Sequence, residues 1–94
     1  MAEKLLADGI KFERVRLPYC KGARHYVPDF FLPELNLYIE VKGWYKDEDK
    51  AKYRVVLSEQ TQIDLRIILG KRMLAEFVTG NVQAEDLPRL SDTL

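Results

Sequence analysis

One cysteine, Cys20, and one histidine, His25, are the only thiol and imidazole groups in this chain. A lone thiol closes no internal disulfide, and no Cys/His spacing for a structural zinc site exists, so a reducing compartment fits best. Apolar runs are only a few residues long, far below the eighteen or so of a spanning helix. Met1 is not followed by a charged start and an apolar signal region. These absences read as a soluble, cytoplasmic chain with no membrane partner. Surplus charge is missing too: 15 basic residues balance 15 acidic ones, which excludes a polybasic nucleic-acid glue. At 47% hydrophobic, intrinsic disorder is not suggested either. Ninety-four residues can bury one core but not two, so residues 1–94 read as a single domain whose function rests on local placement.

Leu5 and Leu6 stand among good helix formers, and Gly9 follows where a C-cap glycine belongs, so residues 2–8 read as the end of a helix. Alternating Phe12, Val15 and Leu17 predict a strand over residues 11–17, stopped by Pro18, with a loop over 19–24. Residues 25–32 are aromatic and β-branched, but Pro28 lacks a ladder amide, so this strand is expected to be edge-like or bulged there. Pro33-Glu34-Leu35-Asn36 is turn chemistry, and residues 37–42 alternate cleanly before Gly43, which completes a hairpin. Residues 46–59 lack proline and glycine and carry Asp47 and Asp49 where a helix dipole favours acids. A strand over 63–69, a short helix over 71–78 and a polar tail over 79–94 follow. The fold class is α/β: a mixed β-sheet with a central hairpin flanked by helices.

The hairpin carries the chemistry. With the four turn residues placed symmetrically at its tip, Leu32 faces Leu37 and Asp29 faces Glu40. Directly opposed side chains have β-carbons about 4.5 to 5.5 Å apart, and two like charges at that distance destabilise a sheet unless a cation neutralises them. Period-two geometry puts Tyr38, Glu40 and Lys42 on one face, with Leu37, Ile39 and Val41 turned to the core. Lys42 then lies roughly 6.5 to 7 Å along the strand from Glu40. Carboxylates of Asp29 and Glu40 with the Val41 backbone carbonyl form a hard oxygen set suited to Mg²⁺, with Mn²⁺ as substitute. Such a metal beside a lysine is the equipment of phosphodiester hydrolysis, in which Lys42 positions water or stabilises charge on phosphate.

Pro28-Asp29 followed by Glu40-Val41-Lys42 resembles the PD-(D/E)XK signature of nucleases with the restriction-endonuclease-like core. Four segments in order, Gly9-Ile10-Lys11-Phe12-Glu13, Tyr26-Val27-Pro28-Asp29-Phe30, Glu40-Val41-Lys42-Gly43 and Ile63-Asp64-Leu65-Arg66-Ile67, are similar to the phage endonuclease I family of Holliday-junction resolvases. The resemblance implies a metal-dependent DNA endonuclease selective for branched DNA, acting in a phage-infected bacterial cytoplasm. Asp29 and Glu40 would be metal ligands and Lys42 the catalytic lysine. It also implies a homodimer with exchanged N-terminal parts, and a further glutamate from an N-terminal helix. Counted back from Gly9, that glutamate falls just before Met1, so the helix is truncated, the glutamate is dispensed with, or Glu3 serves. The rival reading is a catalytically inactive nuclease-fold DNA-binding or assembly subunit.

Each residue also has a plainer reading: Asp29 as a turn aspartate, Glu40 as a solvent-facing strand residue, Lys42 as its surface ion-pair partner. Their combination favours the metal site. Lys46, Lys50 and Arg54 recur every four residues as a helical stripe able to track a DNA backbone, or simply a solvated face. Lys21 and Arg24 are weaker candidates for the same contact. Trp44 and Tyr45 are expected to pack against the sheet edge, with base stacking as the alternative. His25 reads as an ordinary loop-to-strand histidine, and Cys20 as a buried or incidental thiol.

Overall fold

The sheet is built outward from one tight turn. Pro33 supplies the fixed φ that a turn needs after Leu32, the Leu35 amide donates to the Leu32 carbonyl at 3.2 Å, and Asn36 takes a left-handed φ of 50°. The computed structural model describes residues 12–94. Within it the turn joins β3 (Phe30–Leu32) to β4 (Leu37–Lys42), antiparallel, with Leu32 facing Leu37 and Phe30 facing Ile39 as the alternation predicts. Before them come β1 (Leu17–Tyr19) and β2 (Arg24–Tyr26), a separate two-stranded ribbon.

After β4 the chain crosses over through helix α1 (Asp47–Glu59) to β5 (Leu65–Leu69), which lies parallel to β4. Parallel neighbours require such a crossover. The sheet order β3-β4-β5 therefore makes the site-bearing β4 its central strand. Helix α2 (Gly70–Val78) follows at once, and the chain ends in two 3₁₀ turns, Ala84–Asp86 and Leu90–Thr93.

Both faces of the sheet are covered. On one, Leu32, Leu37, Ile39 and Ile68 meet Phe77 of α2 together with Ala84 and Leu87. On the other, Leu65 and Ile67 meet Tyr53 and Val56 of α1, with Leu17, Tyr19, Tyr26 and Leu90. The mixed α/β class expected from the sequence is what forms.

Several boundaries differ from the sequence reading. Of the strand expected over 11–17, the described residues 12–17 do not form one strand: Glu13 makes an isolated antiparallel bridge to Phe31, and regular pairing begins only at β1. Pro18 lies inside β1, since a two-stranded ribbon leaves an edge where a missing amide costs no ladder bond. The strand expected over 25–32 is divided at Val27–Asp29 into β2 and β3, which join different sheets. Residues 79–94 are no polar tail, because Ala84, Leu87 and Leu90 are buried between the helices and the sheet. Arg66 holds them there, donating to the carbonyls of Glu85 and Leu87 and to the Asp64 carboxylate. The helix end read over 2–8, and Glu3 with it, lie outside the described residues.

Candidate active site

Pro28 explains why the site opens where it does. The Tyr38 amide points to β5, donating to the Asp64 carbonyl, so the alternate residues Leu37, Ile39 and Val41 direct their backbone groups to β3. A continued ladder would set residue 28 opposite Val41, and a proline there has no N–H to offer the Val41 carbonyl. The ladder breaks, and Asp29 fills the gap with its side chain: the Val41 amide donates to Asp29 Oδ2 at 2.8 Å. In return the Asp29 amide donates to Glu40 Oε2 at 3.2 Å. The two acids therefore stand together, on the register expected from the hairpin.

Glu40 is only 6% exposed, and among the described residues it is the one charged side chain in the buried class. The plainer reading of Glu40 as a solvent-facing strand residue is therefore set aside, because α1 lies across that face. Tyr53 on that helix donates its hydroxyl to Glu40 Oε1 at 2.8 Å. Tyr26 meets the Tyr53 ring edge-on at 5.6 Å and is itself buried, its hydroxyl close enough to feel the Glu40 charge but outside hydrogen-bond geometry to any partner among the described residues. Burial, then the neighbouring Asp29 carboxylate, pushes the Glu40 carboxyl up to about 7, against the opposing pull of the Tyr53 hydroxyl and the Lys42 charge. Desolvation first, and then Glu40, raises both tyrosines.

Lys42 is half-buried at the end of the same strand face. Its ammonium lies 3.6 Å from Asp49 Oδ1 and 5.8 Å from the Tyr53 ring centroid. Asp49 also accepts the Lys46 amide at 3.3 Å, so one first-turn acid both caps α1 and steers the lysine. Two carboxylates fastened to one another through backbone amides thus stand at one end of the hairpin, with a lysine two residues along the strand from Glu40. The sequence model of the family described as Phage endonuclease I matches residues 1–76, a span that contains all of these groups.

This chain belongs to the phage endonuclease I family.

Two relatives agree. "Endonuclease I" of Escherichia phage T7 is 32% identical over 74 residues, covering 74% of this chain and 49% of its own. "Endodeoxyribonuclease 1" of Enterobacteria phage T3 is likewise 32% identical over 74 residues, covering 74% and 48%. The chain spans about half the length of the curated relatives it matches. No solved structure matches it significantly.

Within this phage endonuclease I chain, the oxygen donors available for a metal are the Asp29 and Glu40 carboxylates and the Val41 carbonyl. Among the described residues no third His, Cys, Asp or Glu joins the two acids. That set still fits Mg²⁺, which keeps several waters and commonly takes one or two protein carboxylates. The raised Glu40 is the second sign of fit, since a buried acid beside another acid gains most from a cation.

The basic residues are dispersed. Lys46 and Lys50 lie at the site end of α1, their ammonium groups over the rings of Trp44 and Tyr45, while exposed Arg54 donates to the Leu94 carbonyl at 3.3 Å. Lys21 sits in the β1–β2 turn, whose Cys20 and Lys21 amides donate to the Glu59 carboxylate at the far end of α1. A 13-residue helix spans about 20 Å, so Lys21 is not brought to the acids with Lys46. Arg24, exposed opposite Tyr19 in the same ribbon, shares that position.

Tyr45 packs, its hydroxyl 2.9 Å from Thr93 Oγ1, but Trp44 does not, contrary to expectation. Cys20 is exposed, which leaves the incidental of its two readings, and His25 is exposed in β2. Asp49, Tyr53 and Tyr26 join the site without the sequence assigning any of them a role in it. The one signal available was Asp49 in the first turn of a helix that follows Lys42 closely. Among the described residues no helix is long and apolar enough to cross a membrane.

Proposed function

We propose that this chain carries the catalytic part of a Mg²⁺-dependent DNA endonuclease, built on a restriction-endonuclease-like core with the PD-(D/E)XK arrangement. The observation that carries the reading is the reciprocal fastening of Asp29 and Glu40 across the break at Pro28, with Lys42 on the same strand face. The names of both relatives, an endonuclease and an endodeoxyribonuclease, support DNA as substrate.

Asp29, Glu40 and the Val41 carbonyl would hold the cation. Bound there, Mg²⁺ supplies positive charge at the scissile phosphate and makes water a stronger acid. The protein's own groups do the rest. The Tyr53 hydroxyl fixes which way the Glu40 carboxylate faces, and the Asp29–Val41 bond fixes Asp29. Lys42, held off Glu40 by Asp49, directs its ammonium to the charge that develops on phosphate as the 3′-oxygen leaves. A preference for branched DNA, action as a homodimer and a cytoplasmic location complete the proposal, as the resemblance carried by the Asp29, Glu40-Val41-Lys42 and flanking segments implies.

The test is cleavage of a labelled four-way junction and of plain duplex, in Mg²⁺, Mn²⁺ or EDTA. Wild type is expected to cut only with metal, and Asp29→Asn, Glu40→Gln and Lys42→Ala to lose on the order of 10²-fold or more. Binding without cleavage by wild type would replace this reading with a non-catalytic DNA-binding subunit. Absence of any salt-sensitive DNA affinity would remove DNA from the account altogether.

A further inference from the structure

Trp44 is 75% exposed, against 46% for Leu35, the next most exposed large apolar side chain among the described residues. An indole is among the largest apolar surfaces a side chain can bury, and the fold forgoes it. Its neighbour Tyr45 shows that burial at this point of the chain is available: that ring lies 6.0 Å from Tyr53 and its hydroxyl meets Thr93.

Trp44 is two residues past Lys42, within about 7 Å of chain, or roughly two stacked base steps. It stands in the connection between the end of β4 and the start of α1. The Lys46 ammonium is 4.8 Å from its ring centroid, and the Lys50 ammonium is 5.1 Å from the Tyr45 ring. An exposed flat ring with one ammonium beside it and a second over the neighbouring Tyr45 ring, next to the proposed phosphate site, combines the two contacts that single-stranded nucleic acid offers: a base face and a backbone charge.

Resting on the reading of the acids and Lys42 as a phosphodiester site, we propose that Trp44 is a stacking platform for an unpaired nucleobase beside the scissile phosphate, with Lys46 contacting the adjoining phosphate. A paired base inside a duplex has both faces covered by its neighbours and offers nothing to stack on. Trp44 thereby favours DNA that is open within one or two nucleotides of the cut.

Trp44 is the single tryptophan of the chain, so its emission reports on this site alone. The full chain would be titrated, in EDTA so that no strand is cut, with a short single-stranded oligonucleotide and with a duplex closed by hairpins at both ends. The expected result is marked quenching by the single strand and little by the closed duplex. Trp44→Ala should weaken single-strand binding by about 5- to 150-fold with closed-duplex affinity and unfolding midpoint unchanged, and Trp44→Phe should restore most of the loss. Single-strand binding without quenching, equal quenching by both DNAs, or unaltered affinity in Trp44→Ala would overturn the platform while leaving the endonuclease reading intact. Failure of the wild type to bind either DNA at low salt would overturn both.

Discussion

Asp29 and Glu40 are fastened to each other through the backbone: Glu40 accepts the Asp29 amide, and Asp29 accepts the amide of the residue after Glu40. Two acids held together this way, one of them buried, store an electrostatic cost in the metal-free protein. That cost can be measured.

The Glu40 carboxyl is pushed up to about 7 from an ordinary 4.5, chiefly by burial. A proton on Glu40 therefore favours the folded state. This contribution is complete below about pH 4.5 and is lost as pH rises through about 7, amounting to on the order of 3 kcal/mol. In EDTA the unfolding midpoint should fall between about pH 5 and pH 8, and Glu40→Gln should flatten that slope and be the more stable protein at the upper end. A Glu40→Gln protein with the wild-type slope would show that the charge on Glu40 costs nothing.

Mg²⁺ or Mn²⁺ should reverse the loss. A cation that binds only the folded chain stabilises it by about 2.7 kcal/mol at a hundred times its dissociation constant, so the midpoint near pH 8 should climb with metal concentration. Asp29→Asn and Glu40→Gln should abolish the climb, as read by thermal unfolding and by calorimetric titration.

The two buried tyrosines should behave oppositely. Tyr53→Phe removes the donor to Glu40 Oε1 and should cost about 1 to 3 kcal/mol, more at high pH than at low, because that donor favours the ionised acid. Tyr26→Phe deletes a hydroxyl that has no hydrogen-bond partner among the described residues and should be neutral or stabilising by up to about 1 kcal/mol. Urea unfolding of both variants at two pH values separates the cases.

Leu90 is fully buried against Leu65, Ile67 and the α1 side chains, although it lies in a stretch that reads as a polar tail. Leu90→Ala should cost about 2 to 5 kcal/mol through lost burial and the cavity left behind. A change within about 0.5 kcal/mol would show that the final residues are not part of the core.

What could be read from the chain alone was local. The hairpin register followed from period-two alternation and one turn, which together leave no freedom once Leu32 faces Leu37. That register already put Asp29 beside Glu40, and the helices over 46–59 and 71–78 formed nearly as read. Alternation, however, says which residues share a face and not what covers it. Only the crossover of α1 onto β4 decided that Glu40 would be buried under Tyr53, that Tyr45 would pack while Trp44 stayed in solvent, and that Leu90 would close the core. Those outcomes depend on contacts between residues far apart in sequence, and the competition for burial among them is settled by the shape of the whole fold rather than by any one segment.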